Sequence, residues 1–178
     1  MSYNNVRSKL DRAISAYLVS AGAGAVADTL PYLSASPNSY PNTTVWSQRA
    51  IPDPPMTGIR RVTVHVSIKG SAVNAPKEQN PDQARVAFDA RVSAVYDALM
   101  QTEDGETFNA TAEAITDAGR ALAVSNDATV AANNADMADF TCSGWYDAGE
   151  GGGEAKAPGC SWEEILIFEA LCSPSNTN

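Results

Sequence analysis

IRRVTVHVSIKG, the stretch from Ile59 to Gly70, decides the class of fold because it carries the clearest local pattern in the chain. Apolar residues occupy every second position, namely Val62, Val64, Val66 and Ile68, and polar residues fill the positions between them. Alternation with a period of two is typical of a β-strand with one apolar side and one solvent-facing side. The stretch therefore predicts a sheet with one buried face.

Upstream of this strand, the sequence predicts one helix and one short strand. Apolar residues recur at helical spacing near the N-terminus, so we expect a helix from about Tyr3 to Ala21 that ends at Gly22 and Gly24. Prolines punctuate residues 28–58, which favours a long extended loop. Within that region, Thr43–Gln48 favours a short strand and Ile51–Gly58 a proline-stiffened loop.

Two helices are predicted downstream. Asn80 is a suitable cap, Pro81 occupies the first helical position, and Gln83 occupies the capping-box position. The apolar residues that follow share one helix face as far as about Met100. A third helix is expected from about Thr107 to Ala123, and residues 124–139 carry no clear pattern.

Two strands close the predicted order. One is expected at Asp139–Tyr146 and the other at Trp162–Leu171, whose apolar run Ile165–Phe168 is consistent with burial on both faces. The glycine-rich link 147–160 is expected to be a second extended loop.

The resulting order, α-β-β-α-α-β-β, predicts an α+β fold in which an antiparallel sheet of about four strands carries its helices on one face. At 178 residues, the chain is expected to form a single domain, 1–178, with extended loops at about 28–58 and 147–160. No G-x-G-x-x-G follows a strand, which excludes a Rossmann dinucleotide site.

The charge is divided unevenly along the chain. Residues 1–100 contain ten Lys and Arg against seven Asp and Glu, whereas residues 101–178 contain two against fourteen. The total of −9 argues against nonspecific binding to nucleic acid, which requires cations that displace counterions from phosphates. The two halves could attract each other between subunits, or they could interleave in space so that the asymmetry averages out.

Candidate residues for chemistry are few. His65 is the only histidine, and with no nucleophile motif nearby we favour a solvent-facing strand residue over the alternative of a small hydrolase with His65 as its base. Glu103, Asp104 and Glu106 lack the spacing of a calcium loop and favour a solvated turn. Gly149–Gly153 lacks the Lys-Ser/Thr of a P-loop. We therefore expect no enzyme, no cofactor and no metal site.

The cysteines and the N-terminus leave one alternative open. Cys142, Cys160 and Cys172 form no C-x-x-C pair, and their odd number fits reduced thiols, although Cys142 and Cys160 flank the glycine-rich loop and could form a disulfide. Ala25–Ala27 imitates a signal-peptide cleavage site, so the chain could be a secreted, disulfide-bridged binding domain cleaved after Ala27. Intact-mass analysis would test this alternative, which requires a mature mass that begins at Asp28 and lacks two thiols. No stretch approaches the roughly 18 apolar residues of a membrane span, so no membrane partner is expected.

The arrangement of elements resembles that of tail-terminator and head–tail joining (neck) proteins of long-tailed bacteriophages. The resemblance rests on the N-terminal helix, the proline-rich stretch with its short strand, and the long strand entered through Met56–Arg61 and left through Lys69–Ala72. It continues in a helix containing Arg85–Leu99, in the phage-like segment Ala112–Ala123 and in closing strands near Ile165–Leu171. It covers most of the chain as element order.

The resemblance implies a non-enzymatic virion component that assembles in the host cytoplasm. Such a subunit would form a homo-oligomeric ring, a hexamer, around the DNA channel and would contact adjoining tail-tube or connector proteins. DNA would pass through without specific binding, since an acidic channel repels phosphates. The charge division further predicts a contact between subunits in which a basic group meets an acidic one: Arg60, Arg61 and Lys69 against Glu103, Asp104 and Glu106.

Overall fold

The computed structural model describes residues 3–23, 41–53, 58–72, 80–100, 109–150 and 161–173. Its elements follow in chain order: α1 (Tyr3–Ser20), β1 (Asn42–Pro52), β2 (Arg60–Ser71), α2 (Pro81–Leu99), α3 (Asn109–Ala123), α4 (Ala128–Asn133), a 3-10 turn (Ala135–Met137), β3 (Thr141–Glu150) and β4 (Ser161–Ser173). The predicted order is confirmed, with the short helix α4 added in the stretch that carried no clear pattern.

The four strands form one sheet in the order β1-β2-β4-β3, and every neighbouring pair is antiparallel. The alternating strand β2 lies at the centre beside β4, and β1 and β3 are the outermost of the described strands. The predicted antiparallel sheet of about four strands is therefore confirmed.

The three long helices pack on one face of the sheet, called here the inner face. That face carries the buried residues of β2 and β4, namely Val62, Val64, Val66, Ile68, Leu166, Phe168 and Ala170. The helices supply the matching apolar residues Leu10, Ile14, Phe88, Val95, Leu99 and Ile115. The predicted α+β architecture with helices on one face is confirmed, because a sheet with one apolar face needs a partner layer on that side only.

The start of α2 follows the sequence signal closely. The side chain of Asn80 accepts a hydrogen bond from the backbone N–H of Gln83 (2.9 Å), and the side chain of Gln83 accepts one from the backbone N–H of Asn80 (3.1 Å). This reciprocal pair satisfies two backbone donors that the first helical turn leaves without partners. The predicted capping box is therefore confirmed.

Three predicted strand assignments need correction. β1 runs from Asn42 to Pro52, so the stretch expected as a short strand inside a loop is a long outer strand with a bulge between Ser47 and Arg49. Proline is tolerated at its end because β1 has a ladder partner among the described strands on one side only. β3 continues to Glu150, into residues expected to belong to the 147–160 loop. The parts of the two expected loops at 28–40, 54–57 and 151–160 lie outside the described residues.

β4 differs from the prediction in its burial. From Leu166 to Cys172 its residues alternate between buried and half-buried, so only one side of the strand lies in the core. The apolar run looked like a strand buried on both faces because Ile165 and Ile167 are large and apolar. Both are half-buried on the side of the sheet away from the helices.

A shielded carboxylate lies between α1 and β1. The Oδ1 atom of Asp11 is shielded from solvent and has no hydrogen-bond partner, and the nearby Arg7 donates to the backbone carbonyl of Ser47. Burial raises the pKa of Asp11 to about 6, an effect larger than the opposing contributions of Ser47 and Arg7. Burial disfavours the charged form of a carboxyl group, so this site favours protonation.

The raised pKa of Asp11 gives a testable pH dependence. Since the folded-state pKa of about 6 exceeds the ordinary aspartate pKa of 3.8, the stabilising contribution is complete below about pH 4 and is lost as the pH rises through 6. We expect this group to reduce the free energy of unfolding by about 1.4 kcal/mol between pH 5 and pH 8. Urea denaturation at both pH values should show that loss in the native chain and not in Asp11→Asn. The exposed Asp117→Asn is the control and should retain it; equal pH slopes in all three proteins would contradict the assignment.

Candidate assembly surface

The face of the sheet opposite the helices is called here the outer face. Residues paired directly across antiparallel strands point to the same side of a sheet, and the register places Trp46 beside His65 and His65 beside Ile167. No described helix packs over this side. Its members include Trp46, Arg61, Thr63, His65, Ser67, Lys69, Glu163, Ile165, Ile167 and Glu169.

The centre of the outer face is aromatic and apolar. The rings of Trp46 and His65 stack with centroids 5.1 Å apart and planes inclined by 15°. Burial lowers the pKa of His65 below its usual 6.5, so the imidazole is neutral at pH 7. The Nε2 atom of His65 is shielded and has no hydrogen-bond partner. His65 is therefore half-buried under an aromatic ring, which corrects the prediction of a solvent-facing residue.

One end of the outer face is an ion-pair cluster around Arg61. Its guanidinium donates to Asp53 Oδ1 at 2.9 and 3.2 Å and to Glu169 Oε2 at 3.4 Å. The hydrogen bond to Asp53, followed by the charges of Asp53 and Glu169, raises the pKa of Arg61 above its usual value. The side chains of Arg61 and Glu169 remain 43% and 38% exposed, so this pair lies at the rim of the face and contributes little to folding, whereas Asp53 is only 12% exposed.

The opposite end carries a second charged group. Lys69 Nζ lies 3.5 Å from Glu163 Oε1, and Ser67 Oγ donates to the same carboxylate oxygen at 2.9 Å. Lys69 and Glu163 are also direct register partners across β2 and β4. Arg61 and Lys69 are eight residues apart on one strand, which corresponds to about 26 Å at about 3.3 Å per residue.

The structure thus places two of the predicted interface residues, Arg61 and Lys69, on the outer face, near opposite ends of β2. Arg60 lies beside Arg61 on β2, but strand alternation directs it to the other side of the sheet. Glu103, Asp104 and Glu106 lie outside the described residues. The role of all six in a subunit contact stays a prediction.

Sequence reasoning identified the cations and missed their carboxylates. Glu163 and Glu169 lie on either side of Ile165 and Ile167 in β4, just as Arg61 and Lys69 lie on either side of the middle of β2. In each strand the charged residues share one face, because they are separated by an even number of positions. Because basic β2 pairs with acidic β4, charges from the two halves of the chain interleave at this face. Two basic residues of the first half of the chain are therefore paired here with glutamates of the second half within one subunit.

A groove of about 730 Å³ lies away from the sheet, where the ends of α1 and α3 meet α4. Its lining is Arg12, Ser15, Ala16, Val19, Ser20, Leu122, Asn133 and Asn134. Arg12 is its one charged residue and is bound by Asp136 Oδ2 (2.8 Å) and Asn134 Oδ1 (2.8 Å). This arrangement fixes the α4 region to α1, and among the described residues that line the groove the one charged side chain, Arg12, is held in an ion pair.

Among the described residues, no three His, Cys, Asp or Glu side chains gather where they could hold a metal ion. None of the described helices is both long and apolar enough to span a membrane. No family model matches the chain, and no curated protein sequence matches it significantly.

Proposed function

We propose that this chain is a structural virion protein of a tailed bacteriophage, either a tail terminator or a head–tail joining (neck) subunit. It assembles as a homo-oligomeric ring, a hexamer, around the DNA channel and contacts adjoining tail-tube or connector proteins. The observation that carries the proposal is the outer face, which the fold leaves without a described helix although its centre is aromatic and apolar. The resemblance in element order supplies the biological setting.

The outer face has the composition of a protein–protein contact. Specific interfaces combine an apolar, aromatic centre with a polar rim, and here Trp46, Ile165 and Ile167 lie between the two charged ends. A four-stranded face with strands of this length covers on the order of 600 Å². Standard interfaces bury about 800 Å² per partner, so this face could supply most of one side.

A carboxylate of a second copy of the chain could join the Arg61 cluster at the rim of this surface, where the paired side chains Arg61, Lys69, Asp53, Glu163 and Glu169 together carry a charge of −1. The segment from α3 to β3 contains one basic residue, Arg120, and exposes a series of carboxylates: Glu113, Asp117, Asp127, Asp139 and Asp147. The Arg61 guanidinium has five N–H donors and retains capacity for a further carboxylate at the exposed rim. A contact between the outer face of one subunit and the acidic surface of the next is heterologous, which is the class that closes into rings.

Charge reversal at the rim tests this assembly. Arg61→Glu with Lys69→Glu places like charges beside Asp53, Glu169 and Glu163 and repels the acidic surface of a neighbour. We expect the variant to enter virions at least about tenfold less than the native chain. The amount of each variant in purified virions is measured by quantitative mass spectrometry.

Two controls separate assembly from folding. Circular dichroism and thermal denaturation of the free subunit establish whether the variant is folded, which is needed because Lys69 and Glu163 are only 28% and 13% exposed. Arg85→Glu reverses an exposed charge on α2, away from the outer face, and should leave incorporation unchanged. If the double variant is incorporated normally and its assembly keeps the salt dependence of the native chain, the outer-face cations play no part in the ring.

A further inference from the structure

Two cysteines face each other across the last two strands. Cys142 on β3 is the register partner of Cys172 on β4, and both are free thiols. They are 4% and 0% exposed and belong to the hydrophobic core on the inner face. The sequence favours reduced thiols and leaves a disulfide between Cys142 and Cys160 open; Cys160 lies outside the described residues, and the thiol opposite Cys142 is that of Cys172.

The strand pairing brings the two cysteines within bonding geometry. Directly opposite residues of antiparallel strands have Cα atoms about 4.5–5.5 Å apart, inside the range of about 4.4–6.8 Å that disulfides span. Both side chains lie on the same side of the sheet, since they are register partners. A hydrogen bond to Cys142 is the largest cause of the raised pKa of the Cys172 thiol, ahead of burial, so the two sulfur groups interact directly.

Access of a reagent to the two thiols, Cys142 and Cys172, depends on opening of β3. This strand is outermost among the described strands and has register shifts between Cys142 and Gly144 and between Asp147 and Gly149. The Cys142 thiol donates to the Gly144 carbonyl oxygen at 3.3 Å, within the first of these irregularities. Strands at a sheet edge open locally at lower free-energy cost than central ones, so transient opening of β3 would expose Cys142 before Cys172.

We propose that Cys142 and Cys172 form a redox site that a low-molecular-weight disulfide, such as oxidised glutathione, converts into a cross-strand disulfide. The Cys142 thiolate attacks one sulfur of the reagent, which breaks the reagent's S–S bond and releases one small thiolate. The Cys172 thiolate then attacks the Cys142 sulfur of the mixed disulfide and releases the second small thiolate. Two protein thiols are oxidised, one reagent disulfide is reduced to two thiols, and the two protons pass from the cysteines to the leaving thiolates.

The disulfide would link β3, which is outermost among the described strands, covalently to the central strand β4. It closes a loop that runs from residue 142 to residue 172 and contains the whole glycine-rich link. Cross-linking a loop of this length restricts the unfolded chain and raises the melting temperature by about 10 °C. The inference does not depend on the proposed virion role.

The experiment uses the full chain with Cys160→Ser, which leaves only the two thiols in question. The protein is incubated with oxidised glutathione in urea below the unfolding transition, so that β3 opens. We expect both thiols to disappear together with a mass loss of about 2 Da, a monomeric product, and a rise in melting temperature that dithiothreitol reverses. The control Cys160→Ser with Cys142→Ala should gain at most one glutathione and show no such rise.

Peptide mapping of the oxidised native chain keeps the proposal testable if the Cys160→Ser variant does not fold. A linked peptide pair containing Cys142 and Cys172 is expected. Retention of both thiols, glutathione adducts that do not resolve, covalent dimers, or a Cys142–Cys160 linkage as the main product would each overturn the proposal.

Discussion

Replacing Trp145 with alanine is expected to lower the free energy of unfolding by about 4 kcal/mol. The indole is 0% exposed, stacks on Phe168 with centroids 4.7 Å apart, and donates from Nε1 to the Leu99 carbonyl oxygen at 3.1 Å. The substitution would leave a cavity beneath α2 and a buried carbonyl without its donor, and both effects destabilise the native state. Urea denaturation followed by fluorescence of the remaining tryptophans and by circular dichroism measures the change.

Two further variants serve as controls for Trp145→Ala. Trp145→Phe keeps an aromatic ring and removes the N–H donor, so it should cost about 1–2 kcal/mol. Trp46→Ala removes a half-buried ring from the outer face and should cost less than about 2 kcal/mol, since no cavity in the core is created. Equal losses at Trp145 and Trp46 would contradict the assignment of the inner face as the core of the subunit.

Replacing Gly119 with valine is expected to destabilise the chain by about 3 kcal/mol. A Cβ atom at this position would lie 2.9 Å from Ala13 Cβ and 2.9 Å from Phe140 Cδ1, both in buried residues. The contact with Met137 Cε, at 3.1 Å, is also tighter than normal packing. Glycine is required because α1 and α3 approach closely here, and a branched side chain would force the helices apart.

Ala121→Val is the matched control for this substitution. It introduces the same branched side chain into α3 at an exposed position, where only helix propensity changes, so a loss below about 0.7 kcal/mol is expected. The free energies of both variants are obtained from urea denaturation. A loss below 1 kcal/mol in Gly119→Val would mean that α1 and α3 are not in close contact at Gly119 in solution.

Local patterns were sufficient for two elements of the fold. The strict alternation around Val64 predicted β2 because only a strand with one covered face needs that order. The cap Asn80, with Pro81 and Gln83, predicted the start of α2 because these residues satisfy backbone groups of the same turn. In both cases the physical cause lies within a few residues, where a sequence pattern can express it.

Features that depend on distant residues were not predictable in the same way. The full length of β1 depends on its pairing with β2 and on the bulge after Ser47. β3 extends to Glu150 because two register shifts keep it paired to β4 through its glycines. The short helix α4 is held by Asp127, whose side chain accepts from the N–H groups of Thr129 and Val130, and its sequence has no long apolar periodicity.

The candidate site shows the same limit. Arg61 and Lys69 were identified from the alternation of β2, but their carboxylates come from β4 and from Asp53. Which strand lies beside β2 is decided by the order of the sheet, and that order is a tertiary property. The sequence therefore predicted cations that meet acidic residues of a neighbouring subunit, and the structure pairs Arg61 and Lys69 with carboxylates of their own chain.

Immunogold electron microscopy of the virions in which we propose that this chain assembles tests the proposed function most directly. The antibody is raised against the exposed β3 segment around Asp147, and virions lacking the protein serve as the control. The account predicts label confined to the junction between head and tail or to the head-proximal end of the tail, with averaged images showing a closed ring at that level. Label that is absent from this region, or distributed along the tail or over the capsid, would contradict it.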